Sequence, residues 1–281
     1  MQERGITMDL ILGNHDTYYK NTNKVNSPAL VLYDQKGINV FEDPLVKNYD
    51  GLDVALVPWI NNENYADNIE FFQTAPAPIC FGHFEIEGAM LNPAMVCSHG
   101  LPASYLKRFE KVYSGHFHHK SDIENIRYVG SQMQFTWSDY GDEKFFHVFD
   151  TDTRELEFIP NPNKLFFKLF YDDTDMSYED LDTLNYTTIA NKYVKVVIKS
   201  KENPLLFDSY ISRLEEQEPI NLQVVEDHLN LDLEDDDDII DEAEDTLTIL
   251  DGYIEGLDIK TGKPQLKSLM HNLYNEALSI I

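Results

Sequence analysis

Gly13-Asn14-His15-Asp16 sets an amide, an imidazole and a carboxylate in succession directly after the apolar run Met8-Asp9-Leu10-Ile11-Leu12. An amide oxygen and an imidazole nitrogen are neutral ligands for a divalent cation. Imidazole also moves a proton near neutral pH, and a neighbouring carboxylate can hold its ring. Four residues alone are a weak signal, which gains weight only if other ligands end other strands. Pro78-Ile79-Cys80-Phe81 runs into Gly82-His83, and Lys111-Val112-Tyr113-Ser114 runs into Gly115-His116-Phe117-His118-His119. Asn14, His83, His116 and His118 therefore share one context, just after a Gly that closes an apolar strand. Sites in open sheets flanked by helices gather at strand ends. His116 and His118 are two residues apart, so in an extended loop they face opposite sides and can serve two neighbouring metals rather than one.

The elements that must carry these residues alternate between strand and loop. Gly5 reads as a helix C-cap that enters a strand over Ile6–Leu12. Leu30–Tyr33 reads as helical, Ile38–Phe41 and Leu52–Val57 as short strands, and Asn68–Gln73 as a helix. Met95-Val96-Cys97 repeats the strand-then-His form at Ser98-His99-Gly100. Ser104–Phe109 is a short helix, and Lys111–Ser114 a strand. Ile126–Val129, Phe145–Phe149 and Glu155–Ile159 are strands with turns at Gly130-Ser131 and Asp150–Thr153. From about residue 166 the pattern changes. Tyr193–Lys199 alternates with Val194, Val196 and Ile198 on one face, Asn203-Pro204 opens a helix, and Leu222–Val225 returns to strand.

Composition limits the partners. The chain has 281 residues and a formal net charge of −28. That argues against a broad basic surface for phosphate, so any phosphate contact must be local, through bound cations or a few basic side chains. Lys107, Arg108, Lys111, Lys120 and Arg127 form the densest basic group near these motifs, which could touch a DNA backbone or simply face solvent. Residues 226–245 hold 12 acidic side chains and no Lys or Arg, and read as a solvated linker. Ile240, Ala243, Leu247, Leu250 and Ile254, and then Leu266, Met270, Leu273, Ala277 and Ile280, make two narrow helical seams suited to a partner. Cys80 and Cys97 read as buried thiols in a reducing compartment rather than as a metal site, since no CxxC is present. There is no signal-peptide core and no bilayer-spanning apolar run. His99 is read as lining the cleft, His119 as exposed, His147 as structural, and His228 and His271 as surface or packing residues.

On Gly13-Asn14-His15-Asp16, Gly82-His83 and Gly115-His116-Phe117-His118, the chain resembles the calcineurin-like metallophosphoesterases. Its later β-α-β unit and terminal helices resemble the SbcD-type DNA repair nucleases, including phage recombination nucleases, over nearly the whole chain. The resemblance implies an α/β fold: a metallophosphoesterase β-sandwich flanked by helices (residues 1–165), then a small α+β capping domain (166–227). An acidic linker (228–238) and partner-binding C-terminal helices (239–281) complete it. It implies a two-metal site, usually manganese, in which Asn14, His83 and His116 match ligands of one ion and His118 a ligand of the other. His15 matches the residue that contacts the scissile phosphate and assists the leaving oxygen, with Asp16 orienting it. The implied activity is hydrolysis of DNA phosphodiester bonds, as 3′-to-5′ exonuclease and endonuclease. It would act in a dimeric complex with an SbcC-like coiled-coil ATPase bound through residues 239–281, in the host cytoplasm if the gene is phage-borne.

In one respect the chain departs from that family. The Asp-x-His and Gly-Asp-x-x-Asp motifs that supply the bridging carboxylate and most ligands of the other ion are absent from the 281 residues. They would lie before Met1, so the expectation is an N-terminally incomplete sandwich, from a truncated, split or decayed reading frame, and a chain that alone is a poor nuclease. A non-catalytic adaptor that keeps the capping and ATPase-binding parts is the alternative, and a metallophosphatase of another branch is a third reading.

Overall fold

Short apolar strands packed on both faces build the sheet that carries the later motifs. The computed structural model describes residues 5–92, 95–226, 253–254, 262–263 and 266–270. In chain order these form β1 (Met8–Ile11), α1 (Ser27–Val31), β2 (Ile38–Phe41), β3 (Leu45–Tyr49), β4 (Leu52–Val57), α2 (Tyr65–Thr74) and β5 (Ile79–His83). Next come β6 (Met90–Asn92), β7 (Met95–Val96), β8 (Lys111–Gly115), β9 (Ser121–Ile123), β10 (Ile126–Tyr128), β11 (Phe145–Phe149) and β12 (Leu156–Pro160). The last are β13 (Phe166–Asp172), α3 (Tyr178–Thr183), β14 (Tyr193–Ser200), α4 (Pro204–Glu215) and β15 (Asn221–Glu226). The chain is a mixed α/β protein with two compact units. One takes the described residues of Met1–Gln134 and Gly141–Lys164, the other those of Phe135–Tyr140 and Leu165–Ile281.

The first unit is organised on a six-stranded sheet of order β3-β4-β5-β8-β10-β9. Leu52, Val54 and Leu56 of β4 point to one face with Ile79, Phe81 and Tyr113, while Ala55, Val57, Cys80 and Val112 point to the other. This alternation is what a pleated strand buried on both faces requires. On the first face pack Ile11 of β1 and Phe41 of β2, a parallel pair, and Phe149 and Leu156 of the antiparallel β11–β12 pair. Between those two small sheets lies a cavity of about 640 Å³, lined by Ile11, Leu56, Phe81, Phe149, Leu156 and Asp9 among others. The opposite face is covered by Phe72 of α2 and by Leu106 and Phe109 beyond it.

Three parallel neighbours, β4, β5 and β8, set the site. Val57 lies opposite Gly82, and His83 opposite Gly115, so their C-terminal ends share one edge of the sheet. The loop after β1 is tied to that edge by the Trp59 amide, which donates to the Leu12 carbonyl at 2.8 Å.

The second unit is a three-stranded parallel sheet, β13-β14-β15, with β14 central. Asn203 caps α4 by accepting from the Leu206 amide, and Leu206, Phe207, Tyr210 and Leu214 bury one face of that helix. Trp137 belongs to this unit, tilted against Phe166 at 4.9 Å with the Lys195 ammonium 4.3 Å from its ring.

Several expectations shift. The first helix is Ser27–Val31 rather than Leu30–Tyr33, because Asn26 accepts from the Ala29 amide and Pro28 starts the turn. The helix expected over Ser104–Phe109 is a short 3-10 turn, Ala103–Leu106. Strands β3 and β13 were not anticipated. His119 is not an exposed neighbour: its side chain is 16% exposed and lies 3.1 Å from the Asp142 carboxylate. The basic group is largely engaged with acids, Lys107 with Glu124, Lys111 with Glu155 and Arg127 with Asp122, so it is no bare phosphate patch. The acidic linker and nearly all of the partner-binding helices fall outside the described residues. Among the described residues no helix is long and apolar enough to cross a membrane.

Candidate metal centre

The tight turn Gly13–Asp16 projects Asn14 from the end of β1. The Asp16 carboxylate accepts the Gly13 amide at 2.7 Å, and the Asp16 amide donates to the Gly13 carbonyl at 3.2 Å. Asp16 therefore braces the turn on which His15 rides, and His15 itself is exposed. Thr17 adds a bond from its hydroxyl to the Asn14 carbonyl at 3.1 Å.

Two imidazoles converge on the Asn14 side chain. His83 Nε2 lies 2.9 Å from Asn14 Oδ1, and His116 Nδ1 lies 3.4 Å from the same oxygen. The two rings are 5.3 Å apart, edge to face. Trp59 walls them in, its ring 5.3 Å from His116 and 6.0 Å from His83. The glycines before the ligands admit the rings. A Cβ on Gly13 would stand 2.8 Å from His83 Cε1, and one on Gly115 3.0 Å from His83 Nδ1.

His116 does not lie in an extended loop. It has φ of +87°, in the left-handed region that non-glycine residues rarely adopt. The extended loop expected for His116 and His118 is thus replaced by a bend that begins at His116. His118 follows with its carbonyl accepting from the Lys144 ammonium and the Ser131 amide, both at 3.0 Å.

The electrostatics keep the two converging rings neutral. Burial, with the nearby His15 and His118, pushes His83 down to about 4. Burial, then His83, His15 and His118, pushes His116 down to about 3. Both rings therefore offer lone pairs at neutral pH. His116 Nε2 is buried with no hydrogen-bond partner among the described residues. His116 thus carries one unpartnered nitrogen while its other ring nitrogen lies with His83 Nε2 against the Asn14 amide oxygen; two neutral imidazoles and an amide oxygen are donor types that fit a divalent transition metal.

The structure thus brings Asn14, His83 and His116 into contact, with His15 and His118 close enough to act on them electrostatically. Asp16 serves the turn. Sequence reasoning missed Trp59, whose signal was an aromatic residue directly after the Pro58 that ends an apolar strand. It also left the Gly13 and Gly115 cradle unstated, although a Gly precedes each ligand segment.

No family model matches the chain. Over 280 residues, 99% of the chain and 79% of the relative, it is 31% identical to exonuclease subunit 1 of Enterobacteria phage T4.

Proposed function

The chain belongs to the phage exonuclease subunit 1 family of recombination and repair nuclease subunits, and from that premise we propose that it hydrolyses DNA phosphodiester bonds at the Asn14–His83–His116 centre as part of a two-component complex. The observation that carries this reading is the convergence of His83 and His116 on Asn14 Oδ1, with His116 Nε2 left for a ligand. Asn14, His83 and His116 would hold one divalent ion and His118 would contribute to a second, manganese being the expected metal. When bound, such ions neutralise phosphate charge and activate water at neutral pH.

The chain's own residues then have distinct tasks. His15, exposed on its braced turn, would meet the scissile phosphate and give a proton to the leaving oxygen. Asp16 fixes the backbone that presents it. Trp59 holds the two ligand rings against rotation and excludes water from one side. The polarity, 3′-to-5′ exonuclease with endonuclease, and dimeric assembly with an SbcC-like coiled-coil ATPase follow the same family reading. Deleting residues 239–281 should abolish co-purification with that ATPase; unchanged co-purification would refute those residues as the docking segment.

A second reading, a non-catalytic adaptor, is favoured by one observation. The assembled donors are all neutral, and among the described residues no carboxylate joins His83 and His116 in a group of three candidate ligands. A bridging carboxylate would have to come from elsewhere for two ions to bind tightly. Manganese-dependent digestion of linear DNA by the purified chain separates the two. The nuclease reading expects slow digestion that His15→Ala removes. Robust digestion that vanishes in His15→Ala would overturn the expectation that this chain alone is a poor nuclease. No digestion, with no metal held by Asn14, His83 and His116, would leave the adaptor.

A further inference from the structure

A second cluster of ligand-type side chains lies outside that centre, in the loop region that follows β5. Glu85, Cys97 and His99 each offer one atom, and the three atoms lie within 4.8 Å of one another. We propose that Glu85, Cys97 and His99 form a separate binding site for a thiophilic divalent cation, Zn²⁺ in the first instance, with one coordination position left open.

The backbone forces the approach. Two segments of the stretch between β5 and β8 are pinned side by side through the Ile86–Leu101 bridge. The Leu101 amide donates to the Glu85 carbonyl at 2.8 Å, and the Glu87 amide to the Leu101 carbonyl at 3.2 Å. The Cys97 amide donates to the Ala89 carbonyl at 2.8 Å, and the Gly88 amide to the Cys97 carbonyl at 2.8 Å. Gly100, with φ of +108°, permits the closeness, since a Cβ there would stand 2.5 Å from the Glu85 carbonyl oxygen. Four ladder-type bonds and a required glycine hold the donors in register before any ion arrives, so little ordering is left for binding.

The donor chemistry selects the ion. His99 Nε2 and Glu85 Oε1 are 3.1 Å apart, and the Cys97 thiol donates to the His99 carbonyl at 2.9 Å. Small side-chain rotations would turn the three heteroatoms onto one centre. A thiolate, an imidazole and a carboxylate together are a zinc-type set, whereas manganese and magnesium prefer oxygen. Cys97 is buried while the His99 side chain is 58% and the Glu85 side chain 24% exposed, so the ion would be reached from the His99 side. Three protein ligands leave the fourth tetrahedral position for water or an external ligand. The site shares no ligand with Asn14, His83 and His116.

Cobalt substitution tests this on the full chain. Co²⁺ added to the reduced, metal-stripped protein should give a near-ultraviolet thiolate-to-cobalt band, displaced by Zn²⁺. The band should vanish in Cys97→Ser and weaken at least tenfold in apparent affinity in His99→Gln, an exposed position that leaves the core untouched. It should persist in Cys80→Ser and in the double variant His83→Ala, His116→Ala. A band that survives Cys97→Ser, or no thiolate band in the folded wild-type chain, would overturn the proposal. Circular dichroism establishes that each variant is folded.

Discussion

A methyl group on Gly13 would stand 2.8 Å from Cε1 of His83, closer than real Cβ contacts come. The neighbour it meets is a ring already fixed between Asn14 and Trp59. Gly13→Ala should therefore displace the ring rather than unfold the unit. Overpacking of this kind costs about 1–3 kcal/mol. Calorimetric titration with Mn²⁺ should show affinity down at least tenfold, and thermal unfolding a drop of only a few degrees. The same two imidazoles give a pH signature. Their folded values, about 4 for His83 and about 3 for His116, lie below the ordinary value of 6.5. Between about pH 6.5 and 4 the unfolded chain binds protons that the folded chain refuses. Stability thus falls as pH falls through that window and is unaffected by these groups above it. The slope approaches about 1.4 kcal/mol per pH step for each proton taken up. Denaturant unfolding from pH 7.5 to 4.5 should show this loss in the wild type and a shallower one in His83→Gln.

Elements were legible where one chemical signal was enough. Asn203 before Pro204 marks the start of α4, and the structure shows the Asn203 side chain accepting the Leu206 amide. Removing that cap by Asn203→Ala should destabilise the second unit by about 1 kcal/mol, read as a lower denaturation midpoint monitored at Trp137. The alternation of Val194, Val196 and Ile198 likewise located β14, where all three are buried. Strand β3 was missed although Asp50-Gly51 signals a hairpin: both residues have positive φ, 49° and 93°, and β3 pairs antiparallel with β4 across them. Strand β13 was missed because Phe166-Phe167-Lys168-Leu169-Phe170-Tyr171 is nearly continuous in apolar residues and has no alternation to read. The site divides the same way. Gly followed by Asn or His at a strand end pointed to Asn14, His83 and His116. The left-handed backbone at His116 has no signal in the sequence, and the meeting of Glu85 with Cys97 and His99 depends on the Ile86–Leu101 pairing, which no helical or strand periodicity announces.

At the scale of the whole molecule, the charge of −28 sets how DNA can be held. A protein that grips duplex DNA through lysine and arginine releases counterions, and its log affinity falls with log salt by about 0.9 for each phosphate neutralised. Here three of the five basic residues grouped near the strand-end motifs, Lys107, Lys111 and Arg127, are committed to Glu124, Glu155 and Asp122. Freeing them would expose the carboxylates they neutralise, so the gain in positive potential would be small. On the proposed reading the route to phosphate is a cation held at the strand ends, where His83 and His116 are neutral and add no charge of their own. Affinity for DNA should then depend on the divalent ion far more than on monovalent salt. In a fluorescence-anisotropy titration of a labelled duplex with Mn²⁺ present, the slope of log affinity against log KCl should be no steeper than about −3, corresponding to about three phosphate contacts. Chelation of the metal should remove binding, and His116→Ala should reproduce that loss with metal present. A steep salt slope that survives chelation would mean that basic side chains, not the strand-end centre, hold the nucleic acid.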